Sequence, residues 1–104
     1  MKTLALEREI AGVTQELMEP HLVAEASRAW ELYQAGFLRE LYFRQDVQNA
    51  VLFLECESTK EAGEVLNTLP LVKEGLIAFD LIPLVPYSGF ARLFLHSLLR
   101  PTFF

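Results

Sequence analysis

The stretch Gly36–Arg44, "GFLRELYFR", is where the chain changes its period, and the fold turns on it. Ahead of it, from Pro20 to Ala35, the residues Leu22, Ala26, Ala29, Trp30 and Tyr33 recur at intervals of three and four. Glu25, Arg28, Glu31 and Gln34 fall between them. This spacing predicts an amphipathic helix whose Trp30 and Tyr33 pack toward a sheet. Pro20 suits its first position, and Gly36 suits its end. Beyond Gly36 the period is two, the signature of a strand. One parity reads Phe37, Arg39, Leu41, Phe43, mostly apolar and expected under helices. The other reads Leu38, Glu40, Tyr42, Arg44, an acid, a phenol and a guanidinium in a row.

Working outward, "TLALEREI" at 3–10 alternates as a half-buried strand, and "AGVTQELMEP" reads as a connection. "AVLFLECE" at 50–57 is a third strand, with Leu52, Leu54 and Cys56 facing one way. Ser58 and Glu61 in "STKE" form a capping box. It opens a helix over about 59–68, with Ala62, Val65, Leu66 and Leu69 inward, and "LPLVKEG" ends it. A fourth strand follows at about 76–82. The order β-α-β-β-α-β is a split βαβ unit. It predicts an α+β domain, an antiparallel four-stranded sheet with both helices on one face.

The chain has 104 residues, enough for one domain. Hydrophobic residues make up 52%, high for so small a monomer, so apolar surface is expected between subunits. Residues 1–86 form the domain. Residues 87–104, apolar and opened by Pro83 and Pro86, read as an arm lying on a partner subunit. The net charge of −5 disfavours nucleic acid, and the nine Lys and Arg form no stripe. The single cysteine, Cys56, excludes an internal disulfide and reads as a buried, inert side chain. The N-terminal segment has no apolar signal core, and no apolar run is long enough to span a membrane. A cytoplasmic protein is expected.

Two helices cover one sheet face only. Sorting the strands by parity assigns the uncovered face Ala5, Glu7, Glu40, Tyr42, Arg44, Val51, Phe53, Glu55, Ala78 and Asp80. That mixture suits a pocket with apolar walls and a few polar groups, closed by a second subunit.

Two stretches resemble the muconolactone isomerase-like branch of the dimeric α/β-barrel proteins. In "GFLRELYFR" the match lies in Gly36, Arg39, Leu41 and Tyr42. In "LNTLPLVKEGLIAFDLIPL" it lies in Leu69, Pro70, Leu71, Ile77 and Asp80. The resemblance covers residues 3–86. It implies a ferredoxin-like fold whose sheets pack face to face in a homodimer, which can associate further. It also implies a double-bond shift in a small unsaturated lactone carboxylate, with no metal or organic cofactor. The chain departs from the pattern at Glu40, where the family has histidine. Similar folds include cofactor-free monooxygenases and small proteins of no known reaction, so the alternatives are a non-catalytic ligand-binding or assembly protein and a cofactor-free monooxygenase.

That reaction needs a base, an acid and a cation for the carboxylate. Glu40 is the candidate base, mid-strand and open to desolvation. Tyr42, on the same face, can donate to an enolate oxygen. Arg44 can hold a carboxylate through a bidentate pair. Phe53, Asp80 and Glu7 complete the expected substrate-binding wall. Against this, Glu40 and Arg44 can simply pair with each other. His21 and Glu25, four apart on one helix face, can pass a proton at the pocket rim. Two such groups are not a metal site.

Overall fold

The structure, a computed structural model, describes residues 1–94, so part of the expected arm, 95–104, lies outside the described residues. Four strands, β1 (Lys2–Glu9), β2 (Leu38–Phe43), β3 (Ala50–Glu55) and β4 (Ile77–Leu84), make one antiparallel sheet in the order β2-β3-β1-β4. The principal helices are α2 (Leu22–Gln34) and α3 (Thr59–Leu66). Single turns, α1 (Gln15–Met18) and α4 (Pro70–Lys73), occupy segments expected to be irregular. A 3₁₀ turn at Glu19–His21, with Pro20 near its start, leads into α2. This is the expected α+β, ferredoxin-like arrangement.

The helix ends follow local chemistry. At the end of α2, Gly36 has φ of 87°, a conformation that suits a residue without Cβ. Its N–H donates to the Tyr33 carbonyl and the Phe37 N–H to the Leu32 carbonyl, which satisfies two orphan acceptors. Gly75 closes α4 the same way, through Gly75 to Val72 and Leu76 to Leu71. Each of these motifs turns the chain directly into a strand. At the start of α3, Ser58 Oγ accepts the Glu61 N–H at 3.1 Å. Glu61 reaches back one residue further than the capping box requires, to the Glu57 N–H at 3.1 Å.

The core lies between the helices and one sheet face. Leu54, Ala5 and Ala62 are fully buried there, with Leu32, Leu38 and Leu66. Cys56 is buried and free, as expected. Burial raises its thiol above the ordinary range, and the Glu61 charge adds to the effect. Thr3 is also fully buried, and its hydroxyl has no hydrogen-bond partner among the described residues.

Three expectations are corrected. First, Leu38 belongs to the helix side and is 1% exposed. The β2–β3 register shifts between Leu38 and Glu40: Leu38 pairs with Leu54, but Glu40 pairs with Phe53. Such a bulge inserts one residue and resets the alternation, so Leu38, Leu41 and Phe43 share a face. Second, Ala5 and Glu7 face the helices. Ala5 pairs with buried Leu52, and Glu7 pairs with Phe79. The open face instead receives Leu4, Leu6 and Arg8. Third, Trp30 and Tyr33 are 59% and 48% exposed and stack on each other at 5.7 Å. Ala29 and Leu32 take the inward positions. Trp30 and Tyr33 each follow an inward residue by one, about 100° further round the helix.

Candidate active site

A cavity of about 700 Å³ opens between the sheet and the first half of α2. Its walls are chiefly apolar, including Leu22, Ala26, Leu41, Leu71, Ile77 and Phe79. Three acids border it, Glu7, Glu9 and Glu25.

Glu7 is placed by β1. The β1–β3 ladder ends at the pair Leu6–Val51. One step beyond, the Ala50 N–H donates to Glu7 Oε1 at 2.8 Å, so the carboxylate takes over where the ladder stops. The Asn49 side-chain amide reaches the Glu7 backbone carbonyl at 3.5 Å. Burial raises the Glu7 carboxyl above the usual glutamate range. The Ala50 N–H opposes this, and the nearby Glu9 charge adds to it.

Glu25 is placed by the first turn of α2. Its Oε1 accepts the Leu71 N–H at 2.9 Å, an orphan donor in the first turn of α4. One helix thereby caps another, and both residues border the cavity. Burial raises the Glu25 carboxyl as well, the Leu71 N–H opposes it, and the charge of Glu7 raises it further. Two half-buried carboxyls that feel each other therefore share one apolar cavity. In each, a backbone N–H fixes one oxygen. The other makes no hydrogen bond among the described residues.

Of the residues singled out in the sequence, Glu7, Glu25 and Tyr42 border this cavity. The Tyr42 hydroxyl donates to Glu40 Oε1 at 2.7 Å, and that bond raises the phenol above its ordinary range. Arg44 does not join them. It pairs with Asp46 through two bonds of 2.9 and 2.5 Å, which holds the Asp46 carboxyl below its usual range. Phe53 stands on the open sheet face, opposite Leu4 and Glu40. Asp80 accepts from Arg8 Nε at 3.1 Å on the same face. His21 sits just ahead of α2 and does not line the cavity. The inward turn of Glu25 had a signal in the sequence: it lies three after Leu22 and four before Ala29, on the apolar stripe.

Among the described residues no group of three or more His, Cys, Asp or Glu could hold a metal ion. No helix among them is long and apolar enough to cross a membrane.

Fold and cavity together define a small α+β protein of ferredoxin-like architecture. Among solved structures it is similar to 5-chloro-2-hydroxyhydroquinone dehydrochlorinase (TftG) from Burkholderia phenoliruptrix AC1100, in complex with 2,5-dihydroxybenzoquinone. The TM-score is 0.67 at 16% identity, over 86% of this chain and 98% of that one. The likeness bears out the expected ferredoxin-like fold and extends no further. No family model matches the sequence, and no curated protein matches it.

Proposed function

We propose that the chain is a small-molecule enzyme of the proton-transfer, isomerase type, working in the cavity between α2 and the sheet. The observation that carries this reading is the Glu7–Glu25 pair, two carboxyls raised by burial in one apolar cavity. Such pairs divide the roles of base and acid when their environments separate their protonation. In this proposal Glu7 serves as the base, and Glu25, whose carboxyl burial and the Glu7 charge both raise, serves as the acid. Glu7 then takes a proton from a carbon beside a carbonyl. Glu25 donates a hydrogen bond to the enolate oxygen that forms. The proton returns from Glu7 to a different carbon, and the double bond moves with no net change in oxidation state. No step calls for a metal or an organic cofactor.

The open face gives the second part of the proposal. Leu4, Leu6, Val51 and Phe53 make an apolar stripe across the two central strands, and they are only half-buried. A second copy covers it in a homodimer. That packing brings Glu40, Tyr42 and Phe53 against the partner, and the arm beginning at Tyr87 reaches onto it. Tyr87 and Phe90 are 72% and 66% exposed and meet edge to face at 5.0 Å.

A second reading is a non-catalytic ligand-binding module. It draws on the fact that both carboxylates already cap backbone donors. Proton exchange separates the two. In D₂O, wild-type protein should incorporate deuterium into members of a panel of small unsaturated lactones and cyclic ketones. Glu7→Gln should slow this by about 100-fold or more. If wild type exchanges no member of the panel, the enzyme reading falls and the binding module stands.

A further inference from the structure

Resting on the cavity reading above, we infer that the ligand is not an anion: it is an uncharged or cationic molecule of one or two rings that brings a hydrogen-bond donor to Glu7. The sequence had led to a carboxylate ligand held by Arg44. The structure spends its cations elsewhere. Arg44 is paired with Asp46, Arg8 with Asp80, and Arg28 with Glu31 and Thr68. No Lys, Arg or His among the described residues borders the cavity, whereas Glu7, Glu9 and Glu25 do.

The free Glu7 oxygen is an acceptor in a largely apolar space. An acceptor so placed calls for a donor, and a hydroxyl or an amine on the ligand supplies it. A carboxylate on the ligand supplies none. It would lose its own hydration beside like charges that the cavity does not neutralise. The apolar walls fit the ring body, and the volume of about 700 Å³ is that of a small-ligand site.

The test is binding rather than turnover, so it succeeds or fails apart from the enzyme reading. Hydroquinone, benzylamine and benzoate are titrated into the full-length protein. The reporters are the backbone amide resonances of Ala50 and Leu71, whose N–H groups touch the two carboxylates. Hydroquinone or benzylamine should shift both amides, with benzoate weaker by about tenfold or more. The double variant Glu7→Gln/Glu25→Gln should narrow or reverse that preference, with a dispersed spectrum as the check on folding. Benzoate binding as tightly as hydroquinone to wild type would overturn the charge inference and leave the acid–base reading intact. Silence from all three probes at saturating concentration would overturn the inference and the cavity reading together.

Discussion

On the helix side of the sheet, Thr3, Ala5 and Leu54 are fully buried, and Leu52 is 5% exposed. On the open side, their sequence neighbours Leu4, Leu6, Val51 and Phe53 remain only half-buried. The side chains facing the helices along β1 are smaller than those facing away. That inversion tells the two faces apart. Small residues let α2 and α3 approach the central strands closely, and the core that folds the monomer forms there. The larger side chains on the other face are only partly covered among the described residues. In the proposed dimer a partner supplies the remaining cover, and the stability of the monomer is then not expected to depend on that face.

Adjacent residues on β3 break or sharpen this contrast most directly. Leu54→Ala removes a fully buried side chain and should cost about 2–5 kcal/mol in denaturant unfolding. Phe53→Glu, one residue away on the open face, should leave the monomer folded and abolish the proposed dimer. Light scattering reads the mass and circular dichroism the fold. If Phe53→Glu unfolds the chain, or leaves a dimer in place, the division of labour between the faces is wrong.

A smaller effect is expected at Ser58, whose hydroxyl caps α3 at 3.1 Å. Ser58→Ala should cost about 1 kcal/mol. Thr3→Val tests the helix side in the other direction. It replaces a buried hydroxyl without a partner by a methyl group of the same shape. The expected result is a gain of about 1 kcal/mol, read as a higher urea midpoint. A loss would mean that the hydroxyl has a partner in solution.

Much of the fold was legible in the chain. The period change at Gly36 and the Ser58 cap are local signals, and each fixes an element by itself, whereas the single turn α4 closed by Gly75 lies in a segment read as a break. The faces were harder. Parity assigns a strand's two sides only while the alternation is unbroken, and the bulge between Leu38 and Glu40 breaks it. Nothing in "GFLRELYFR" marks the extra residue, because bulges depend on the partner strand. In β1 both parities are partly apolar, so which set meets the helices is decided by how closely the helices pack. Glu7 was therefore named as a site residue from the sequence, but on the wrong side of the sheet. Trp30 and Tyr33 misled for a related reason. Size and hydrophobicity suggested the core, while Ala29 and Leu32 beside them take the inward positions.

The smallest expected effect is the pH dependence of stability, and it also divides by location. Glu7 and Glu25 have folded-state carboxyls raised above the usual glutamate range, chiefly by burial. Between the ordinary value and the raised one, the folded state holds protons that the unfolded chain has released. Stability from these groups is therefore complete below the ordinary value and falls as pH rises through the raised one. Asp46 and Glu55, on the surface, are lowered by Arg44 and by the N-terminal ammonium. Their contribution is present above the ordinary carboxylate range and is lost as pH falls through the lowered values. Urea midpoints measured from about pH 4 to pH 8 bracket the rise at the two glutamates. Wild type should lose stability toward the upper end, and Glu7→Gln/Glu25→Gln should flatten that slope. A slope unchanged in the double variant would mean that the two carboxyls ionise as freely in the folded protein as in the unfolded chain, which would remove the basis for assigning one as acid and the other as base.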